Sequence, residues 1–368
     1  MLTKSYAELK QSLLDNPTSA PPCVLLIDGD NFIKRHIMCA ALSDLKAGGV
    51  YTGGIFGMLM SLTALLRDFA EPVAKIYAIF DNGIPAFRHD LCPYYKGERA
   101  HSHSILPPEE KAKAYEQLGT ARKMLELLGV VCADFKGYEA DDGIAAAVLL
   151  TVKHGWRPVV VSSDRDLLQV ISYGGRVWNL SDKSETATII DEKNFFEHVG
   201  VLPAGYLLYK TLSGDTSDSL RGAEGCGPGR AKEIVNGFDF AGADAKLKPE
   251  QQLKLLVSAI GGALDGKKFE RAIVADYERL TKEMKIVDLF TDDKRFTPIP
   301  SQLMRDVLFE TGPDKKLHAK TSRVQTTPFM KMCVKLGFNK VLGDPVKHLR
   351  EFERVVKRGE SLTASLTK

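Results

Sequence analysis

Residues 23–31 read CVLLIDGDN, an apolar run that ends on two acidic residues, and this pattern sets the expectation for the fold. A continuous apolar run bounded by turn residues is typical of a β-strand that is covered on both faces. Further runs of this kind lie at 75–80, 130–132, 158–162 and 176–180. Longer helical patterns separate them at 57–69, 108–128 and 140–152. This alternation predicts an α/β fold with a mainly parallel central sheet flanked by helices.

The chain also divides into segments of different character. Its 368 residues are 44% hydrophobic and 26% charged, which excludes wholesale disorder. A short helix is predicted over Tyr6–Leu14, ahead of a proline-rich connector. After Pro203 strand signals fade and helical periodicity dominates. We expect an N-terminal extension, an α/β domain, a helical region and a C-terminal region, at 1–22, 23–202, 203–312 and 313–368.

Several classes of protein are excluded by composition. No apolar run approaches the ~18 residues that a membrane span needs, and the N-terminus lacks the charged-then-apolar layout of a signal peptide. The six cysteines contain no C-x-x-C pair, so neither a disulfide framework nor a thiolate zinc site is indicated. We expect a cytoplasmic protein that does not contact membranes.

The net charge of +3 is unevenly distributed. Residues 313–368 carry 13 Lys and Arg against 5 Asp and Glu, a net charge of +8, so the preceding 312 residues carry a net charge of −5. Clustered cations gain free energy by releasing counterions from nucleic acid, which makes this region a candidate polyanion contact. A solvated helical surface is an equally good reading of the charge alone.

Carboxylates follow three of the predicted strands directly. Asp28 follows the first strand, Asp81 the second, and Asp164 and Asp166 follow the strand at 158–162. Because the carboxyl ends of parallel strands meet at one edge of a sheet, these side chains are expected to converge there. Five more acids come from a predicted helix start and from an i, i+3 pair, namely Glu139, Asp141, Asp142, Asp215 and Asp218.

Nine converging carboxylates require positive charge nearby. For any single one of them, a surface residue or a helix cap is the commoner role. Together their all-oxygen set suits Mg²⁺ or Mn²⁺. A pair of such ions ~4 Å apart is built to hydrolyse phosphodiesters, by generating hydroxide and stabilising the leaving oxygen.

Cations and aromatic rings follow Asp81 closely. Arg88, Tyr94, Tyr95, Lys96 and Arg99 combine positive charge for a phosphate with rings on which bases can stack. His101 and His103 lack a third ligand at zinc spacing, so loop histidines near a phosphate path are the better reading.

A glycine-rich turn at 225–232, GCGPGRAK, opens a predicted helix. Its backbone N–H groups can hold a phosphate, with Arg230 and Lys232 alongside. No strand immediately precedes it, which disfavours a nucleotide-cofactor site. A helical hairpin that grips the backbone of a duplex fits better.

Five stretches in series resemble the bacterial and phage 5′ nucleases, the flap endonuclease and 5′→3′ exonuclease family that includes the N-terminal domain of bacterial DNA polymerase I. They are VLLIDGDN, FDNGIPAFRHDLCPYYKGER, GYEADDGIA, VSSDRDLLQV and GDTSDSLRGAEGCGPGRAKEIV, which together span roughly Cys23–Val235. The resemblance implies a PIN-like α/β fold, with a helical arch at about 97–128 and a helix-hairpin-helix clamp at 222–235.

The resemblance also implies roles for individual residues. Asp28, Asp81, Glu139, Asp141 and Asp164 belong to or support a first metal site. Asp142, Asp166, Asp215 and Asp218 serve a second, with sharing between the two sets. Lys96 contacts the scissile phosphate beside Tyr95, and Arg99 binds phosphate further on. The turn with Gly225, Gly227 and Gly229 clamps downstream duplex, where a K⁺ ion is also a candidate.

The implied protein is a free-standing, monomeric 5′ nuclease, with a phage replication enzyme as the working expectation. Its partner is branched or 5′-flap DNA, with an RNA–DNA hybrid and a single-strand binding protein as open candidates. Two residues depart from the family pattern: Asp30 stands where a neutral residue is common, and Pro228 removes one backbone donor from the turn.

Two alternatives remain open. The first is a haloacid dehalogenase-type phosphatase, because Asp28 and Asp30 also form a D-x-D opening. The second is a non-catalytic DNA-binding protein on the same fold, which would have no need of the acidic set.

Overall fold

A six-stranded sheet forms the centre of the molecule, in the strand order β5-β4-β1-β6-β7-β8. The computed structural model describes residues 21–39, 42, 44–96, 107–180, 188–238, 247–261, 267–290, 299–311 and 317–365. Neighbouring strands are parallel except for β8, which runs antiparallel to β7. The sheet strands are β1 (Cys23–Asp28), β4 (Val73–Phe80), β5 (Val131–Asp134), β6 (Arg157–Ser162), β7 (Arg176–Asn179) and β8 (Ile189–Ile190).

Two short antiparallel pairs lie outside the sheet: β2 (Lys46–Ala47) with β3 (Val50–Tyr51), and β9 (Phe309–Thr311) with β10 (Leu317–Ala319). The helices up to residue 199 are α1 (Gly29–Ile37), α2 (Gly53–Asp68), α3 (Ala86–Leu91), α4 (Pro108–Tyr115), α5 (Gln117–Leu127), α6 (Ala140–Lys153) and α7 (Phe195–Val199). The later helices are α8 (Tyr206–Ser213), α9 (Pro228–Val235), α10 (Pro249–Gly261), α11 (Lys268–Ala275), α12 (Tyr277–Val287), α13 (Ser301–Leu308), α14 (Thr326–Lys335), α15 (Asn339–Gly343) and α16 (Pro345–Ser365).

Each face of the sheet is covered by a separate hydrophobic cluster. In β1, Val24 and Leu26 join one cluster while Leu25 and Ile27 join the other, as the alternation of a strand requires. The first cluster contains α6 and the helices between 195 and 308, and we call this side the α6 face. The second contains α1, α2, α5 and the helices after 325, and we call this side the α2 face.

The predicted α/β class and all five predicted sheet strands are confirmed. The six residues of β1 are all buried, which explains why the strand reads as an unbroken apolar run instead of an alternating one. Strand β8 and the hairpins β2–β3 and β9–β10 were not predicted. Each of them has only two or three residues per strand, too few for a periodic signal.

The single helix predicted at 108–128 is wrong in detail, because two helices meet at Glu116. The break lets the buried side chain of Gln117 accept hydrogen bonds from Gly54 N and Ile55 N, at the start of α2. Helix α5 then packs in the core through Ala121 and Met124. The predicted arch at 97–128 therefore includes a core helix.

Some predictions fall on other parts of the chain. The predicted helix Tyr6–Leu14 and residues 97–106, with Arg99, His101 and His103, lie outside the described residues. Among the helices that the structure does describe, none combines the length and the apolar character needed to cross a membrane.

Candidate functional site

The strands β4, β1 and β6 are neighbours in the sheet and all end at the same edge. Asp28 is the last residue of β1, Asp81 directly follows β4, and Asp164 and Asp166 follow β6. The topology therefore brings the ends of these three strands, and the acids that follow them, to one edge of the sheet.

Asp28 is buried at this edge, with 4% of its surface exposed. Its Oδ2 accepts a hydrogen bond from Ser162 Oγ at 2.9 Å, and its Oδ1 accepts one from Asn31 N at 3.2 Å. Burial raises the pKa of Asp28 to about 7, although these two hydrogen bonds act in the opposite direction. A carboxylate this difficult to ionise needs a nearby cation in order to carry its charge.

Asp81 is fixed between two other elements. Its Oδ1 accepts from Ala140 N at 2.9 Å, at the start of α6, while its own backbone N donates to Asp30 Oδ2 at 2.8 Å. Lys34 Nζ lies 3.4 Å from Asp30 Oδ1 and 3.7 Å from Asp81 Oδ2. The unexplained acid Asp30 therefore holds the turn that carries Asp81.

The start of α6 adds three acids. Glu139 is the N-cap residue, and its backbone N donates to Asp142 Oδ2 at 3.1 Å in a capping box. Burial raises the pKa of Asp141 well above its usual value, and the charges of Asp164, Asp28 and Asp166 raise it further. Asp141 is thus in the field of the carboxylates that follow β1 and β6.

Arg88 lies inside the molecule, with 2% of its surface exposed. Its Nη1 donates to Glu139 Oε2 at 2.5 Å, its Nη2 to Asp142 Oδ1 at 2.7 Å, and its Nε to Ile286 O at 3.0 Å. In this structure burial keeps the guanidinium away from the surface, where the predicted DNA contact would lie. Arg88 instead neutralises two acids of the predicted metal sites.

Tyr95 is also buried, with 5% of its surface exposed. Its hydroxyl lies 3.2 Å from Glu139 Oε2 and 3.2 Å from Asp218 Oδ2, so it connects the α6 start with the loop after α8. Its ring belongs to the hydrophobic cluster of the α6 face, so in this structure it presents no exposed surface on which a base could stack. The neighbouring Tyr94 is 40% exposed, and the Arg221 guanidinium lies 5.6 Å from its ring centre.

Lys96 reaches the carboxylates from an unusual backbone conformation, with φ at +57°. Its N donates to Asp218 O at 3.1 Å, and its Nζ forms an ion pair with Glu139. A left-handed conformation costs a non-glycine residue of order 1 kcal/mol or more, so the surrounding contacts must hold it in place. The lysine predicted to meet the scissile phosphate is thus part of the carboxylate cluster.

A second lysine was missed by sequence reasoning. Lys210 is buried in α8, and its Nζ lies 2.7 Å from Asp166 Oδ1 and 2.6 Å from Asp215 Oδ2. Asp215 also caps the turn that carries Asp218, by accepting from Ser217 N at 2.9 Å. The available signal was a lone cation within the apolar helix YLLYKTLS.

The glycine-rich turn leads into α9 as predicted, with Gly227 as the N-cap residue and Pro228 in the first turn. A proline there loses no helical hydrogen bond. Side chains at Gly227 or Gly229 would meet no atom within 4 Å, so the turn is open. Gly225 has φ at +71°.

The cations of this turn are partly engaged. Arg230 Nη1 donates to Gly225 O at 3.2 Å, and its guanidinium lies 4.5 Å from the ring centre of Phe269. Lys232 Nζ lies 5.9 Å from the ring centre of Tyr209. Arg230 and Lys232 are residues of α9, and α9 lies on the α6 face of the sheet.

The charge and the donor chemistry of the cluster fit divalent cations. Burial raises the pKa of Asp166 to about 6 despite the ion pair with Lys210, so negative charge remains incompletely compensated. All candidate donors are carboxylate oxygens, the ligands preferred by Mg²⁺. As the side chains stand, no three His, Cys, Asp or Glu residues in the described ranges form a group that could hold one ion. The fit therefore rests on charge and chemistry.

These raised pKa values predict a specific pH dependence of stability. Asp28 and Asp166 bind protons more tightly in the native state than in the unfolded chain, where the ordinary value is 3.8. Their protonation therefore stabilises the fold at low pH, and this stabilisation is lost as the pH rises through about 6 to about 7. With a chelator present, the melting temperature should rise by several degrees as the pH falls from ~8 to ~5. Saturating Mg²⁺ should flatten this dependence, and a chelated protein whose melting temperature is constant over this window would contradict the assignment.

Comparisons with known proteins relate the chain to nucleases and polymerases. Residues 23–200 match the family described as 5′-3′ exonuclease, N-terminal resolvase-like domain. DNA polymerase I of Mycobacterium bovis is 32% identical over 217 residues, which are 59% of this chain and 23% of that polymerase. The thermostable polymerase I of Thermus aquaticus is 29% identical over 232 residues, 63% of this chain and 26% of its own length. The chain thus spans about a quarter of the polymerases that it matches.

Solved structures show the same fold over a larger part of the chain. The bacteriophage T5 flap endonuclease, in a pseudo-enzyme-product complex with DNA and metal ions, aligns with a TM-score of 0.57 at 19% identity, covering 86% of this chain and 99% of its own. The T5 5′-exonuclease with bound zinc aligns with a TM-score of 0.56 at 21% identity, covering 85% and 99%. With its five motifs in order, the chain is related over residues 23–200 to the 5′ nucleases, the family that includes the N-terminal domain of bacterial DNA polymerase I.

Proposed function

We propose that this protein is a structure-specific 5′ nuclease that hydrolyses DNA phosphodiesters at 5′ flaps and 5′ ends during replication or repair. The observation that carries the proposal is the gathering of Asp28, Asp141, Asp164 and Asp166 at one edge of the sheet. Asp28 is buried and the other three acids are half-buried, and gathering their negative charges costs free energy, which is typical of a functional site. The match of residues 23–200 to the 5′-3′ exonuclease family supports the same reaction.

Two Mg²⁺ or Mn²⁺ ions are the proposed cofactors. The first would be held by residues drawn from Asp28, Asp81, Glu139, Asp141 and Asp164, and the second by residues drawn from Asp142, Asp166, Asp215 and Asp218. Bound there, such ions would supply an activated water and neutralise charge on the phosphate oxygens.

The chain's own cations are proposed to have two different roles. Lys96, which forms an ion pair with Glu139, is proposed to neutralise charge on the scissile phosphate, and Arg99 is proposed to continue this path. Arg88 and Lys210 are buried among the acids and fix the positions of Glu139, Asp142, Asp166 and Asp215. They act as positioning residues.

Duplex DNA beside the break is proposed to lie on the open turn at 222–235, with a K⁺ ion as a further ligand there. The junction-resolving enzyme GEN-1, solved with potassium, has a related fold, with a TM-score of 0.50 at 16% identity. The product would carry a 5′-phosphate. We also propose that the protein acts on RNA–DNA hybrids, that a single-strand binding protein is a partner, and that the protein is a monomer.

Incubation with a 5′-labelled flap DNA and with a small phosphomonoester tests this proposal directly. We expect Mg²⁺-dependent cleavage of the flap DNA and none of the phosphomonoester. The reverse result would identify the phosphatase alternative. Binding of the flap DNA with no cleavage in Mg²⁺ or Mn²⁺ would identify a non-catalytic DNA-binding protein.

A further inference from the structure

The C-terminal helices and the glycine-rich turn lie on opposite faces of the sheet. Phe329 of α14 and Phe352 of α16 belong to the cluster of the α2 face. Ala231 and Val235 of α9 belong to the cluster of the α6 face. The carboxylate edge lies between these two faces, because it is formed by the strand ends themselves.

Helix α16 has one buried side and one cationic side. The buried side consists of Leu349, Phe352, Val355 and Val356. At about 100° per residue, the opposite side carries five exposed cations that span ~16 Å along the helix, namely Lys347, Arg350, Arg354, Lys357 and Arg358. Three acids, Glu351, Glu353 and Glu360, stand at the margins of this side, and Glu351 pairs with Arg354 at 2.8 Å.

The neighbouring helices extend the positive surface. In α14, Lys331 and Lys335 are exposed on the side opposite Phe329 and Cys333. In α15, Lys340 is exposed and acts together with Lys347 to lower the pKa of the buried His348, a shift caused first by burial. Asp344, which faces the same imidazole, acts in the opposite direction. Lys340 and Lys347 therefore both act electrostatically on His348, at the junction of α15 and α16.

Most of these cations lack a partner in the described part of the chain. For five of them, no carboxylate oxygen there lies within 4 Å of a charged side-chain nitrogen, namely Lys331, Lys335, Lys340, Lys347 and Arg350. Like charges held close together without compensation repel one another. Such an arrangement is stabilised when an external polyanion binds.

We propose that the exposed cations of α14, α15 and α16 form a second nucleic-acid contact, the C-terminal basic face, which binds the phosphate backbone of a duplex arm other than the one at the glycine-rich turn. This inference deepens the proposed function and rests on it for the identity of the ligand. Because the two surfaces lie on opposite faces of the sheet, a branched substrate that contacts both would cross the carboxylate edge between them, and its junction would lie there.

The composition of the surface favours nucleic acid over a protein partner. Its large exposed apolar side chains are Val334, 66% exposed on α14, and Val346, 63% exposed on α16. A protein interface has an apolar core and a polar rim, which two valines do not supply. Binding to phosphates needs only an array of cations, since its free energy comes largely from counterion release.

The test compares two ligands without divalent metal, so that no cleavage occurs. One is a nicked flap DNA with duplex on both sides of the junction, and the other is a duplex with a 5′ overhang and a single arm. For the wild type, the slope of log K against log salt concentration should be steeper for the two-arm DNA. In the variant Lys331→Gln/Lys335→Gln/Lys347→Gln/Arg350→Gln, the two slopes should become equal. The magnitude of the slope for the two-arm DNA should fall by about 2 to 4, since each lost phosphate contact lowers it by roughly 0.9.

A matched variant removes four exposed cations elsewhere: Lys153→Gln/Lys193→Gln/Lys254→Gln/Arg305→Gln. It should keep the difference between the two slopes. If the difference persists in the first variant, or is absent in the wild type, the inference is wrong. If the fourfold variant has a lowered melting temperature, the double variant Lys347→Gln/Arg350→Gln is used instead. It is expected to reduce the slope for the two-arm DNA by about half as much. Flap cleavage is measured separately with Mg²⁺. A protein that binds both arms but does not cut would contradict the proposed nuclease function and leave the inference about the C-terminal basic face intact.

Discussion

Asp166→Asn is expected to lower the turnover of flap DNA at least about a hundredfold, while duplex affinity in the absence of divalent metal stays within about twofold. Loss of a partner that only orients a metal ligand typically costs 10–100-fold, and the loss of a ligand itself should cost more. The fold should survive, because Lys210 keeps its ion pair with Asp215 at 2.6 Å. Single-turnover cleavage and equilibrium binding measured on the same preparation separate the two effects.

Asp306→Asn is the matched control for this experiment. Asp306 is exposed on α13, where it accepts a hydrogen bond from Gln302 at 2.7 Å. Its substitution removes the same charge at a distance from the carboxylate edge, so turnover should be unchanged. Near-normal cleavage by Asp166→Asn in Mg²⁺ would show that this residue holds no catalytic metal.

Arg88→Met should destabilise the protein by about 3–5 kcal/mol, the usual cost of removing one partner from a buried ion pair. The substitution leaves Glu139 and Asp142 at the start of α6 without the guanidinium that bridges them at 2.5 Å and 2.7 Å. Denaturant unfolding with a chelator present measures this loss. Mg²⁺ should recover part of it, because a cation bound among the acids would replace the missing charge.

The triple variant Arg88→Met/Glu139→Gln/Asp142→Asn separates charge from packing. If uncompensated charge is the cause, neutralising both acids should restore much of the lost stability, although Lys96 then loses its partner Glu139. If the triple variant is as unstable as Arg88→Met, the loss comes from packing of the Arg88 side chain. Arg88→Lys should be intermediate, since an ammonium group cannot bridge two carboxylates in the fork geometry of arginine.

The parts of the site that depend on the chain's own periodicity were predictable. Asp28, Asp81 and Asp166 follow apolar runs, and parallel strands bring their carboxyl ends to one edge. The parts that depend on burial were not predictable. Arg88 and Tyr95 stand in a polar, aromatic stretch that suggests a surface ligand site, yet both are buried against Glu139.

The sequence by itself therefore determined the α/β class, the order of the strands along the chain and the set of acids available at their ends. Those features follow from local hydrophobic patterns, which act over a few residues. Only the tertiary structure decided which cations meet which acids: Lys210 pairs with Asp166, 44 positions away in the sequence, and Arg88 pairs with Glu139, 51 positions away. Such pairings depend on how separate elements pack, since a buried charge is stable only where packing places its counter-charge beside it.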